Sequence, residues 1–291
     1  MLLCEKTENK SADEYVFQYR NAANYMQKRE AIDSLRRYQR LNYDAMMVYR
    51  DGLKDKSESI RVIAAKNISI TANNRDTVLP MLKALLEKDS ISRVRAAVLD
   101  AFGKQQAKSY EDVVEKYLGD SSYTVASTAL TVLNKLDSAK ALEKAKLFER
   151  ETTFEMKNAV YTINSQSGDS SYNTFFIKRL NSEKGFVRSF LMYHYANFLL
   201  RMNAEMAEAG IDTMRSVTLS VEDNKQLKGF AVGAIERIKD NYEREKAIYD
   251  NLLNSDKKTK AKYDLEKVKR QQARAASVIT HAKEAEAEIK K

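Results

Sequence analysis

Apolar side chains recur along this chain at the spacing of an amphipathic helix, and the pattern returns many times. Between Asp89 and Phe102 the apolar residues fall on one stripe of a helix that opens on a polar, cap-forming residue. That stripe consists of Val94, Ala97, Val98, Ala101 and Phe102. The segment therefore predicts one helix of a repeating array.

The repeat is clearest when the longer helices are aligned on one apolar position. The aligned residues recur every 31 to 40 residues and are Ile60, Val94, Val125, Met156, Val187 and Leu227. Shorter helices with apolar stripes of their own alternate with them. A helical pair of this size cannot bury its apolar face alone, so neighbouring pairs stack and share a continuous core. We therefore predict an all-α fold, a right-handed α-solenoid of about six to seven short helical hairpins.

Composition and turn chemistry narrow the class of repeat. The chain has 8 Gly and 1 Pro, far below average usage, which favours helix almost everywhere. A period near 34 residues would also suit a tetratricopeptide array, whose Trp, Gly and Pro signature is missing here. Instead, Asp55 and Asp89 are each followed within six residues by an apolar–Arg pair. This habit makes the units resemble short HEAT repeats.

Cations follow the aligned apolar residues at a fixed position, and we call them the cation ladder. Its members are Arg61, Arg95, Lys157, Arg188 and Lys228, while Ala126 interrupts the series. In the interpretation we favour, each cation pairs with a turn Asp or a carbonyl of the adjacent repeat and fixes the stacking. In the other, the ladder lines a concave face that attracts an acidic peptide or a C-terminal carboxylate.

The two ends of the chain differ from the middle. Residues 1–10 read as a strand or linker leaving something upstream, residues 11–254 as the solenoid, and residues 255–291 as a charged terminal helix or tail. Ser11 and Glu14 form a predicted capping box for the first helix. Residues 257–274 carry eight Lys or Arg against two acidic side chains, and nucleic-acid binding through them would depend steeply on salt.

Net charge and cysteine content exclude few further classes of function. The formal net charge is +9, which is compatible with an acidic partner. A single Cys4 cannot form an internal disulfide. Neither a signal-peptide hydrophobic region nor an apolar run long enough to span a membrane is visible. The compartment is therefore not indicated, and no membrane partner is expected.

No catalytic, metal-binding or cofactor-binding motif stands out. The two histidines, His194 and His281, have no second ligand at metal-binding spacing. A Gly-x-Ser-x-Gly elbow and a Gly-rich phosphate loop are also missing. His194 reads as a satisfied histidine of a core or groove, and we expect no enzyme activity and no cofactor in this chain.

Aromatic residues concentrate in one stretch of the predicted array. They are Tyr172, Phe175, Phe176, Phe186, Phe190, Tyr193, Tyr195 and Phe198. Helical spacing predicts that they form a packed seam between successive helices. The alternative is an aromatic groove that holds a partner peptide.

One segment resembles a known family. Residues 14–35, Glu-Tyr-Val-Phe-Gln-Tyr-Arg-Asn-Ala-Ala-Asn-Tyr-Met-Gln-Lys-Arg-Glu-Ala-Ile-Asp-Ser-Leu, resemble the entry into the C-terminal helical region of M1-family zinc aminopeptidases. Residues 2–6, Leu-Leu-Cys-Glu-Lys, look like the last strand of the preceding β-domain in that family. The zinc motif and the substrate-binding motif of the family are missing, so no catalytic or metal residue carries over.

The resemblance implies a non-catalytic C-terminal piece of an M1-like metallopeptidase. It would cover the active-site cleft and limit peptide access, with the upstream catalytic domain as its partner and zinc held only in that domain. The alternative is a free-standing HEAT-type scaffold that binds a protein partner through its concave face.

Overall fold

The computed structural model describes residues 10–221 and 224–291, and every regular element in these ranges is helical. The all-α prediction is therefore confirmed. The helices, named here in chain order, are α1 Ala12–Arg20, α2 Tyr25–Leu35, α3 Tyr43–Gly52, α4 Glu58–Asn67, α5 Arg75–Lys88, α6 Ser92–Lys104, α7 Glu111–Lys116, α8 Tyr123–Leu136, α9 Ser138–Ala145, α10 Phe154–Ser165, α11 Tyr172–Ser182, α12 Gly185–Leu199, α13 Ala204–Leu219, α14 Lys225–Asn254, α15 Lys257–Lys260 and α16 Leu265–Lys290.

The chain divides into two compact units, with the boundary between Ala159 and Val160 inside α10. In the first unit, α2, α4, α6 and α8 pack in chain order, each against the next. The helices α3, α5 and α7 each pack on the helix that follows them, and of the three only α7 is shorter than that helix. This succession of stacked helical pairs is an α-solenoid.

The apolar positions used to align the repeats lie mostly in the core. Ile60, Val94 and Val125 of the first unit are fully buried, and so is Met156 in α10. Leu227 of the second unit is buried as well. Val187 is the exception, because it is half-buried near the start of α12.

An aspartate at each turn of the first unit fixes where the next long helix begins. Asp55, Asp89 and Asp120 each accept a hydrogen bond from the backbone N–H two residues further on, at 2.8 to 2.9 Å. This arrangement mimics a backbone turn and sets the direction of the chain into the helix. The N-cap of α6 is consequently Ile91, and not a polar residue as the sequence predicted. The capping box of Ser11 and Glu14 at α1 is confirmed.

The second unit ends in two long helices that pack along one another, α14 and α16. α16 also contacts α13. Its buried face is built largely from small side chains, among them Ala275, Ala282 and Ala285. Lys239 of α14 donates to Glu286 of α16 at 2.7 Å, and both side chains are largely buried. Residues 255–291, predicted as a terminal helix or tail, thus contain a packed helix; the predicted strand falls within residues 1–9, outside the described ranges.

Candidate functional site

Two members of the cation ladder make the same set of contacts in the first unit. The Arg61 guanidinium donates to both carboxylate oxygens of Asp89, at 2.6 and 3.3 Å, and to the carbonyl of Asp55 at 2.8 Å. Arg95 makes the same contacts in the following repeat. It donates to both oxygens of Asp120, at 2.9 and 2.8 Å, and to the carbonyl of Asp89 at 3.1 Å. Each guanidinium therefore joins its own turn to the turn of the following repeat.

These ion pairs are largely shielded from solvent. The neighbouring charges also shift the pKa of Asp120. Burial alone would raise the pKa of Asp120, but the Arg95 guanidinium and the Ser122 N–H stabilise its carboxylate and hold the pKa below its usual value. Lys28 forms the corresponding ion pair with Asp55 at the start of the series. At position 126 the ladder has a buried alanine, so the series of ion pairs stops there.

Of the remaining members of the ladder, Arg188 has different partners, and the other two are lysines. Lys157 is half-buried on α10. Arg188, in the second unit, donates to the backbone carbonyls of Glu183 and Asn181. Lys228 is half-buried on α14. Within the described ranges, paired guanidinium–carboxylate contacts from one repeat to the next are thus a property of Arg61 and Arg95, and a single role for all five cations stays a prediction.

Part of the aromatic stretch forms the core of the second unit. Phe176 is fully buried, with its ring centroid 5.5 Å from that of Tyr195 and 5.1 Å from that of Phe198. The Tyr195 hydroxyl donates to Asn173 at 2.7 Å, which satisfies its polar end. These rings form the packed seam that their helical spacing predicts.

Two other residues of the stretch, Phe190 and Tyr193, line a groove between α12 and α14, which we call the aromatic groove, and Phe186 lies beside it. Phe186 is 48% exposed and Tyr193 43% exposed. The ring of Phe186 stacks on Phe190 with centroids 5.9 Å apart and meets Phe230 edge-on at 6.2 Å. The cavity has a volume of about 630 Å³ and is lined by Phe190, Tyr193, Lys225, Gln226, Gly229, Phe230, Gly233 and Ala234.

Two glycines one helical turn apart form the floor of the aromatic groove. A Cβ added at Gly229 or Gly233 would meet no atom within 4 Å, so neither glycine is required by packing inside this unit. Glycine in a helix interior costs about 1 kcal/mol relative to alanine. Their effect is to leave the α14 backbone accessible from the groove.

A second, polar pocket adjoins the groove at Tyr193, and we call it the arginine pocket. Its volume is about 550 Å³, and it is lined by Thr162, Ser165, Gln166, Tyr193, His194, Asn197, Leu200, Arg201 and Arg237. Arg237 donates to Asn197 at 2.7 Å and lies over the Tyr193 ring, 5.1 Å from its centroid. These two contacts hold the guanidinium in place at the mouth of the pocket.

His194 lies in the wall of the arginine pocket and is only 4% exposed. Neither of its ring nitrogens has a hydrogen-bond partner, although both are buried. Burial disfavours the imidazolium form and lowers the pKa of His194 to about 4. The side chain is therefore neutral at physiological pH, and its hydrogen-bonding capacity is unmet rather than satisfied as the sequence predicted.

The described ranges contain neither a metal-binding cluster nor a membrane-spanning helix. No group of three or more His, Cys, Asp or Glu side chains there is arranged to hold a metal ion. His281 instead contacts Asp212 at 2.9 Å. None of the helices in the described part of the chain is both long enough and apolar enough to cross a bilayer.

No family model matches this chain, and no curated protein matches it. Its structure is similar to that of YibA of Escherichia coli, with a TM-score of 0.55 and 15% identity over 92% of this chain and 93% of that one. Lower similarity is found to the CpcE–CpcF complex of phycocyanin lyase from Nostoc (TM-score 0.49, 13% identity, 97% and 99% coverage). An archaeal HEAT-like repeats protein from Thermococcus onnurineus also matches (TM-score 0.29, 15% identity, 93% and 98% coverage).

The similarity to YibA agrees with the stacked helical pairs and confirms the α-solenoid fold, and at 15% identity it shows the fold alone. The resemblance to M1-family aminopeptidases is wrong, because no family model supports it and YibA has a similar fold over 92% of this chain. The segment 14–35 forms α1 and α2, whose buried Val16, Tyr19, Ile32 and Leu35 are the ordinary core of a stacked helical pair. The role as a cleft cover and the catalytic domain as a partner therefore lose their basis.

Proposed function

We propose that this chain is a HEAT-type scaffold that binds a protein partner, and that the partner docks in the aromatic groove. The observation that carries the proposal is a cluster of large rings, Phe190, Tyr193 and Phe230, around an open cavity on a repeat protein, with the exposed Phe186 packed against them. Contiguous exposed apolar surface of this kind marks interaction sites. Aromatic side chains in such a position are frequent binding hot spots.

The floor of the aromatic groove supports a close backbone approach. Gly229 and Gly233 lie on one face of α14 and are exposed. Small residues at this spacing allow another backbone to come near, while the flanking rings supply apolar contact area. A helix or extended segment with apolar anchors fits such a groove. The sequence suggested binding through a concave face without naming the residues. We propose the residues of the aromatic groove for this role.

A non-catalytic role and the absence of a cofactor are part of this proposal. Nucleic-acid binding through residues 257–274 stays a separate prediction. In its support, several cations of α16 are exposed, among them Lys267 and Arg274. A test of this alternative measures affinity for nucleic acid between low and high salt, where a flat response would exclude it.

Groove filling tests the main proposal. A Gly233→Leu variant places a side chain in the open floor and replaces a poor helix former with a good one, so the unit should stay folded. Gly168→Leu is the matched control, because it adds the same side chain at an exposed loop position of the same unit where a Cβ meets open space.

The measurement is affinity purification from the native cells followed by titration with the purified partner. We expect a stoichiometric partner that binds the wild type and Gly168→Leu equally and binds Gly233→Leu at least about tenfold more weakly. A partner that binds all three proteins with the same affinity would place the interface elsewhere. If the wild type retains no stoichiometric partner, the scaffold proposal is refuted.

A further inference from the structure

The arginine pocket has a charge that nothing in its wall balances. Arg201 and Arg237 both line it, and no Asp or Glu does. Within residues 10–221 and 224–291, neither guanidinium forms an ion pair with a carboxylate: Arg237 is held by a neutral amide and an aromatic ring instead. What distinguishes Arg201 and Arg237 is that both line one pocket whose wall has no carboxylate. The two cations are therefore available to a ligand.

The helix ends around the pocket oppose an anion only in part. Thr162 and Ser165 belong to the last turn of α10, and Arg201 follows the end of α12. A helix C-terminus carries roughly half a negative elementary charge, so two such ends offset about one of the two guanidinium charges. The last carbonyls are also engaged, since Ile163 accepts from Gln166 and Phe198 accepts from Arg201. The pocket keeps a net positive charge.

A buried polar side chain in the wall is an independent sign of a ligand. His194 is almost fully buried, and both ring nitrogens lack a partner. Buried polar atoms in folded proteins are nearly always hydrogen-bonded, and an exception calls for an explanation. Leaving such a group unpaired costs about 1–3 kcal/mol. The wall of the pocket therefore contains a polar side chain whose hydrogen-bonding capacity is unmet.

From these contacts we infer that the arginine pocket binds a carboxylate attached to an apolar group. Arg201 and Arg237 would hold the carboxylate, since guanidinium groups match its planar geometry and can bind it through two parallel hydrogen bonds. Tyr193 lines both the arginine pocket and the aromatic groove. A carboxylate in the pocket can therefore be continuous with an apolar body in the groove.

This inference rests on the proposed function for its natural ligand, an acidic segment of the partner whose carboxylate lies next to an apolar anchor. The acid is supplied either by a side chain or by a C-terminus, and both present the same group. Peptides that carry the acid only at one of these two places would distinguish the sources once a partner is known.

The pocket can be tested without the partner, because the chain has only two histidines. Protein labelled at histidine is titrated with 3-phenylpropanoate and, as the matched neutral control, with 3-phenylpropanamide, while imidazole signals are followed by NMR. We expect the His194 signals to shift saturably with the acid, at least about tenfold more weakly with the amide, and the His281 signals to stay unchanged.

Substitutions assign the effect to the two guanidinium groups. Arg201→Gln and Arg237→Gln should each weaken phenylpropanoate binding by roughly fivefold or more, while Arg201→Lys should lose less because it keeps the charge. Arg270→Gln, at an exposed arginine of α16, is the control and should bind as the wild type does. Thermal unfolding of each variant verifies that the fold is intact.

Several outcomes would overturn the inference. Equal binding of acid and amide would make the site a purely apolar one, and binding unaffected by both Arg→Gln variants would place the acid elsewhere. The absence of any saturable shift, or tighter binding of inorganic phosphate than of phenylpropanoate, would also refute it. Because Gly233→Leu tests the partner and the arginine variants test the carboxylate, failure of one experiment leaves the other proposal standing.

Discussion

The two units use the same helical hairpin but stabilise it differently. In the first unit, Arg61 and Arg95 tie each turn to the next through buried ion pairs, and one geometry recurs from repeat to repeat. In the second unit, aromatic rings fill the core around Phe176, and further rings remain at the surface. The first unit thus repeats one polar stacking contact, whereas the second unit has aromatic rings along a groove and two arginines in a pocket without a carboxylate.

The aromatic residues of the second unit provide the largest expected contrast. Phe176→Ala should reduce the free energy of unfolding by about 3–5 kcal/mol, because it removes a fully buried ring and leaves a cavity. Phe186→Ala should cost less than about 1 kcal/mol, since the ring is half exposed. Denaturant titrations followed by circular dichroism measure both. A similar cost for the two variants would mean that Phe186 belongs to the core and not to a groove.

Acid should weaken the second unit before the first. His194 has a pKa of about 4 in the folded protein against 6.5 in an unfolded chain, so the unfolded state binds more protons between these values. Stability is then fully present above about pH 6.5 and falls as the pH drops towards 4, by up to about 3 kcal/mol. The His194→Phe variant cannot titrate and should lose this dependence, while His281→Gln should keep it.

Hydrogen exchange of α12 and α6 amides at pH 7 and 4.5 locates the effect. Increased exchange in α12 of the wild type, absent from His194→Phe, is the expected result. An identical pH dependence in both proteins would show that another group is responsible.

The ion pairs of the first unit should be sensitive to substitution and to stronger acid. Asp120→Ala leaves the mostly buried Arg95 without its carboxylate and should cost about 2–3 kcal/mol at pH 7. The pKa of Asp120 is below its usual value. Its contribution is therefore present above about pH 4 and lost as the pH falls through the folded-state pKa.

Asp33→Ala is the control for Asp120→Ala. The Arg29–Asp33 pair spans 3.7 Å and is about half exposed on both sides, so its loss should change stability by less than about 0.5 kcal/mol. Equal effects of Asp120→Ala and Asp33→Ala in urea titrations would contradict a special role for the buried pairs.

The fold was predictable from sequence because its signal is repeated. Five buried residues among the six aligned positions outweigh the sixth, so the half-buried Val187 did not obscure the pattern. The sequence left α16 open as a helix or a tail, because cations dominate residues 257–274 although several apolar and small side chains of the helix are buried. The M1 resemblance rested on 22 residues whose apolar spacing any stacked helical pair would produce.

The candidate site was only partly predictable. The sequence showed that the aromatic residues cluster, but not which rings would be buried, because Phe176 and Phe186 lie on helices with similar apolar spacing. It gave no sign that Arg201 and Arg237 would line the same pocket, since 36 residues separate them in the chain. One signal in the sequence could have pointed to the groove. Gly229 and Gly233 lie one turn apart inside a predicted helix, where glycine is unfavourable and needs a reason.

Two helical glycines of the second unit offer the smallest effects and a difference in sign. A Cβ at Gly233 meets open space, so Gly233→Ala should stabilise the protein by about 0.5–1 kcal/mol through helix propensity. A Cβ at Gly210 would lie 2.2 Å from Cδ1 of the buried Leu199. Gly210→Ala should therefore destabilise by roughly 1–3 kcal/mol despite the same gain in propensity.

Thermal and urea unfolding of the two alanine variants, side by side, measure this contrast. Stabilisation by both would mean that Leu199 moves aside at little cost, and destabilisation by both would mean that Gly233 is already packed against the chain. Opposite changes in the free energy of unfolding would show that Gly210 is required by internal packing and that Gly233 is not favoured by stability alone. The second kind belongs where another molecule approaches the helix, which is the position of Gly233 in the aromatic groove.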